Sequence, residues 1–204
     1  MARQILEFEM RFHAQYLLIA LLFLSSSPGL GSDAEVFLAL EEAPTTVFPD
    51  ADQIERFDIK SDDPMRERMK ALIGRLQPSL WEPYYITFVA RRGGEPIGYA
   101  VVCEEIGKHR PMTFIVATDT AGHVRDVALM AYRERIGAEV RYKGFVRQFD
   151  DKTLDNPIHP RRDIRNISGA TLSVRAMSRG VRKALAVLDV AYFHSGRLNK
   201  EPTE

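Results

Sequence analysis

The chain has 204 residues, 45% hydrophobic and 27% charged, which is enough apolar content for a core and too much for wholesale disorder. Twenty-eight basic residues balance 28 acidic ones, so no positive excess favours a nucleic-acid partner. The lone Cys103 excludes an internal disulfide and a cysteine-ligated cluster, and five scattered histidines lack the paired spacing of a zinc site.

In residues 1–34, Arg3 and Arg11 precede a nine-residue apolar run at 16–24 (YLLIALLFL), followed by SSSPGLGSDA. Such a run is short of the roughly 20 residues that span a bilayer and fits the apolar core of a signal peptide. Small residues at Gly29, Gly31, Ser32 and Ala34 offer cleavage points. The expectation is an exported, periplasmic or otherwise extracytoplasmic protein, with an uncleaved membrane anchor or a plain core helix as the alternatives.

Residues 35–83 are expected to form a helical N-terminal extension. Within it, 36–42 reads as a short mixed helix, which Pro44 and Pro49 keep from continuing. At 64–76 (PMRERMKALIGRL), Met65, Met69, Leu72, Ile73 and Leu76 recur on one helical face. Residues 84–190 form the main domain. The segments 84–90 (YYITFVA), 97–103 (IGYAVVC), 113–118 (TFIVAT) and 124–130 read as four strands, with turns at Gly93-Gly94 and at 119–122. Consecutive strands with short turns imply an α+β fold built on an antiparallel meander packed with helices, whose outer face needs a cover.

A helix over 171–190 completes the domain, with Leu172, Ala176, Met177, Val181, Ala184, Leu185 and Leu188 as its apolar stripe. Arg175, Arg179, Arg182 and Lys183 fall on the other side, as a solvated face or one that docks an acidic partner. Residues 191–204 read as a polar tail.

Chemistry is concentrated where that helix begins, at Ile167-Ser168-Gly169-Ala170-Thr171-Leu172-Ser173. The first-turn N–H groups of a helix have no intrahelical acceptor and sit at the positive end of its dipole, so they attract phosphate. Ser168 is expected to cap the helix, Gly169 and Ala170 to leave the backbone approachable, and Thr171 to offer a hydroxyl that could bond or be esterified by a phosphate. Simple capping by Ser168 and Thr171 is the plainer alternative. Asn166-Ile167-Ser168 also spells a glycosylation sequon.

The segment ISGATLS resembles the flavinylation motif of the FMN-binding domain family, which includes flavin subunits of the sodium-pumping quinone reductase and Rnf complexes. The resemblance runs from about Phe48 to Leu188 through FPDAD, Gly98-Tyr99, RPMTFIVATDTAGHVRDVAL, YRERIG and FVRQF. It implies that Thr171 carries FMN through a phosphoester installed by a flavin transferase using FAD and magnesium. Ser168, Gly169, Ala170, Leu172 and Ser173 would surround the attachment, and Tyr132, Glu134 and Gly137 would approach the flavin. Many members have an aspartate three residues before the motif serine, where this chain has Arg165, with Asp163 further back.

No catalytic constellation, metal site or nucleotide loop accompanies the motif, so the resemblance implies an electron carrier served by a membrane-bound redox partner. A sensory or regulatory module of the same fold, binding flavin noncovalently or not at all, is the alternative. Trp81, Tyr84 and Tyr99 are read as stacking candidates or core aromatics, Asp150, Asp151 and Asp155 as a solvated turn, and Cys103 as an inert buried thiol.

Overall fold

Six strands form one antiparallel sheet in the order β1-β6-β5-β4-β3-β2. They are β1 (Glu35–Val36), β2 (Gln53–Lys60), β3 (Tyr84–Arg92), β4 (Glu95–Ile106), β5 (Pro111–Thr118) and β6 (Val124–Tyr132) in a computed structural model that describes residues 34–74 and 77–193. The expected signal segment through Asp33, Leu76 and the tail beyond Phe193 lie outside the described residues. Strands β2 to β6 run as a meander, and β1 pairs with β6 through Glu35 opposite Tyr132.

The helices are α1 (Ala43–Val47), α2 (Asp63–Ile73), the single-turn α3 (Lys143–Val146) and α4 (Thr171–Leu188). The two-residue period of the strands divides the core. On β5, Met112, Phe114 and Val116 face α4 and α2, while Ile115 and Ala117 face the opposite side. That second face is covered by Ala43, Val47 and Phe48. The cover the meander requires is therefore supplied by the chain just ahead of it.

Three expectations are corrected here. Residues 36–42 are not a helix. Val36 ends β1, Phe37 and Leu38 donate their N–H groups to Met130 O, and the helical turn comes at α1. Nor is the 35–83 segment only helical, because β1 and β2 belong to the sheet. The alternation in β2 is weak, since this edge strand keeps most of its side chains in solvent. By contrast α2 follows its predicted face. Asp62 caps it by accepting the Met65 N–H, and Met65, Met69 and Ile73 are buried.

The third correction concerns the basic face of α4. Lys183 is fully buried and donates to both carboxylate oxygens of Glu82 at 2.9 Å, to Leu80 O at 3.1 Å and to Glu104 O at 2.7 Å. Burial alone would depress its pKa, but the acidic groups around it, Cys103, Glu82 and Glu105, raise it. Arg179 pairs with buried Glu105, and Arg182 donates to the carbonyls of Ile73 and Asn156. Only Arg175 of the four is exposed. Period alone assigned these residues to solvent, whereas the 77–83 chain segment covers that side of the helix.

Candidate cofactor site

The motif forms a turn that feeds directly into α4. Ala170 N–H donates to Ile167 O at 3.1 Å, and Gly169 takes φ +84°, as the third residue of a type II turn requires. A Cβ at Gly169 would meet nothing within 4 Å, so conformation and not crowding selects glycine there. The first bond of the helical ladder runs from Val174 N–H to Ala170 O. The N–H groups of Thr171, Leu172 and Ser173 thus lie ahead of the ladder, at the positive end of an 18-residue helix.

Ser168 does not cap this helix. The turn puts it exposed at the outer corner, and the cap position falls to Ala170, which makes no side-chain cap bond. Leu172 is also corrected. At 42% exposure it stands outside the apolar stripe, beside the partly exposed Thr171.

Thr171 Oγ1 accepts a hydrogen bond from Asn166 Nδ2 at 2.8 Å. Asn166 and Ile167 also wall a groove of about 460 Å³, lined further by Glu139, Tyr142, Phe145 and Arg165. Tyr142 is 56% exposed and Phe145 is buried, so one large aromatic edge is offered to whatever enters the groove. The loop before the motif is tied down at several points. Gln148 Oε1 accepts the Arg165 N–H at 2.7 Å. Asp163 accepts the N–H groups of Ile158 and His159 and pairs with Lys152 at 3.0 Å. Burial alone would raise the Asp163 carboxyl, but those N–H groups and Lys152 outweigh it and hold it below its ordinary range. This aspartate is consumed by the loop's own structure.

Of the three residues expected to approach the flavin, the fold brings two to the motif. Tyr132 Oη donates to Ile136 O at 2.7 Å and shares a 2.7 Å hydrogen bond with Ser173 Oγ in the first turn of α4. Gly137, at φ +111°, packs so closely there that a Cβ would collide with Ser173 Oγ and Tyr132 Oη. Burial pushes the Tyr132 phenol up, which keeps it protonated as a donor. Glu134 points elsewhere. Its Oε1 accepts the N–H groups of Lys108, His109 and Arg110 at 2.6–3.0 Å, closing the β4–β5 turn.

The remaining aromatics sort by burial. Tyr99 stacks on Tyr192 at 4.6 Å, Trp81 packs against the main core, and Tyr84 is exposed at the start of β3. None of them lines the groove. Cys103 is fully buried, and burial pushes its thiol up. Asp150 and Asp151 lie in the turn that pairs with the start of β6, and among the described residues no group of three metal-ligating side chains forms. Sequence reading missed Tyr142, Phe145 and Asn166. The first two are aromatics three apart in YKGF, a spacing that puts both on one side of a single helical turn.

Residues 107–186 match the model of the FMN-binding domain family. The match begins in the β4–β5 turn and ends inside α4, so it contains Tyr132, the groove and Thr171. The chain is 29% identical over 117 residues to one subunit of the proton-translocating ferredoxin:NAD(+) oxidoreductase complex of Clostridium ljungdahlii. That alignment covers 54% of this chain and 62% of the relative, so the chain spans less than two thirds of the relative's length. The NqrC protein of Shewanella oneidensis shares the fold, with a TM-score of 0.51 at 14% identity, over 75% of this chain and 87% of that one. Among the described residues no helix is long and apolar enough to cross a membrane.

Proposed function

We propose that this chain is an extracytoplasmic electron-transfer flavoprotein that carries FMN through a phosphoester to Thr171. The carrying observation is the Thr171 hydroxyl, partly exposed in the first turn of α4 and joined through Asn166 to a groove of about 460 Å³. The groove is within the range of small-molecule sites, and its lining suits a flat aromatic ring carrying a phosphate tail. Bound FMN supplies one- or two-electron transfer, which suits a relay between dissimilar partners.

The chain's own residues bind and orient. The first-turn N–H groups and dipole of α4 favour the phosphate, Tyr142 and Phe145 keep water from one side of the groove, and the Tyr132–Ser173 bond fixes the helix start. The clostridial relative belongs by name to a redox complex, which supports a membrane-bound redox partner for this chain. A flavin transferase using FAD and magnesium would load Thr171.

The test is co-expression with such a transferase, followed by intact mass and denaturing electrophoresis. Wild type is expected to gain one FMN and to fluoresce after denaturation. Thr171→Val keeps the β-branched shape and is expected to fold with an unchanged circular dichroism spectrum but lose that fluorescence. Denaturation-resistant flavin in Thr171→Val would place the attachment elsewhere. Export is tested separately by N-terminal sequencing, with a mature terminus expected between Gly31 and Glu35. Intact Met1 in the cytoplasmic fraction would refute it.

A further inference from the structure

We propose that Asn166 is the positioning residue for flavin attachment, orienting the Thr171 hydroxyl for attack and stabilising the charge that develops on it. The proposal rests on the reading of Thr171 as the attachment residue. Its geometry is the 2.8 Å hydrogen bond from Asn166 Nδ2 to Thr171 Oγ1. An asparagine close ahead of a helix ordinarily caps it by accepting a backbone N–H. Here the chain turns between Ile167 and Ala170, the cap position falls to Ala170, and the Asn166 amide donates to a side-chain hydroxyl instead.

The backbone that carries Asn166 is tied down on both sides. Arg165 N–H is bound to Gln148 Oε1, and Ile167 O accepts the Ala170 N–H, so the backbone on either side of Asn166 is fixed. Its side chain lines the groove that the flavin would enter. A threonine hydroxyl that accepts one hydrogen bond keeps its second lone pair and its proton for chemistry. The bond therefore selects one rotamer of Thr171 without consuming the nucleophile.

In the attachment step, Thr171 Oγ1 attacks the phosphorus on the FMN side of FAD. The new Oγ1–P bond forms as the bridging P–O bond of the pyrophosphate breaks. AMP leaves with the electron pair, and the hydroxyl proton passes to a base of the transferase, with no change of oxidation state. Asn166 cannot be that base, because the group it presents is a donor. Its contribution is a fixed N–H aimed at the oxygen on which negative charge develops.

The test measures initial rates of covalent FMN incorporation into purified protein with flavin transferase, FAD and magnesium, read by in-gel fluorescence and intact mass. Asn166→Ala is expected to lose at least about tenfold in turnover with little change in the KM for the acceptor protein, as for removal of a transition-state donor. Asn166→Asp keeps the shape but cannot donate when ionised. It is expected to be as slow at about pH 8 and to recover relative to wild type only as the pH falls toward about 4, where an aspartate carboxyl gains its proton. A purely structural tether would leave both variants' rates tracking their melting temperatures, with no such pH dependence. Incorporation into Asn166→Ala at the wild-type rate, or into Asn166→Asp at or above it at about pH 8, would overturn the proposal while leaving Thr171 intact as the attachment residue. Failure of wild type itself to incorporate FMN would instead sink the attachment reading.

Discussion

Replacing Gly137 with alanine tests whether the start of α4 is held by the end of β6. Gly137 sits at φ +111°, where an L side chain is strained by roughly 1–2 kcal/mol. The added Cβ would also drive apart Tyr132 Oη and Ser173 Oγ and endanger the bond from Tyr132 Oη to Ile136 O. Each of these hydrogen bonds contributes about 1 kcal/mol, so the total loss is expected to be about 2–4 kcal/mol. Tyr132→Phe removes both hydrogen bonds while sparing the backbone, and is expected to cost about 1–2 kcal/mol. Equilibrium urea unfolding gives both numbers, and their difference isolates the backbone strain. Because Ser173 lies two residues beyond Thr171, Gly137→Ala should also slow the proposed flavin attachment. A Gly137→Ala protein within about 0.5 kcal/mol of wild type would show that the loop yields freely, and the account of a pinned helix start would fail.

Lys183→Met is expected to destabilise by about 3–5 kcal/mol, because it takes the ammonium from partly buried Glu82 and leaves fully buried Glu105 with its pairing to Arg179. Adding Glu82→Gln should recover part of that loss, and simple additivity in urea unfolding would contradict the network. Glu134→Gln probes the β4–β5 turn through pH. Partial burial alone would raise this carboxyl, but the N–H groups of Arg110, His109 and Lys108 outweigh burial and depress it. A depressed folded pKa gives stabilisation that is complete above the unfolded value and is lost as pH falls through the folded one. The stability gap between wild type and Glu134→Gln should therefore be full at neutral pH and shrink below about 4.5. A gap that stays constant with pH would show that the carboxylate charge is irrelevant there.

The strands of the meander, the buried face of α2, the extent of α4 and the position of the motif were legible in the sequence, because period and turn residues are local properties. YYITFVA and TFIVAT alternate or crowd β-branched residues whatever surrounds them, and the small turn residues of ISGATLS stand just ahead of the 3.6-residue apolar period of α4. What local pattern could not decide was which face of α4 meets solvent. Lys183 and Arg182 look like a polar stripe until Glu82, Leu80 and Asn156 arrive from distant parts of the chain to receive them. The edge strand β2 was invisible for a related reason. Its partner β3 supplies the pairing, while its own side chains are mostly solvated and carry no alternation. The site divides in the same way. Thr171 is named by its motif, but the nearby groove exists only because Glu139, α3 and the loop at 165–167 converge there. Asn166 is ambiguous in one dimension, as cap, turn residue or sequon, and the turn at Gly169 is what aims its amide at the threonine oxygen.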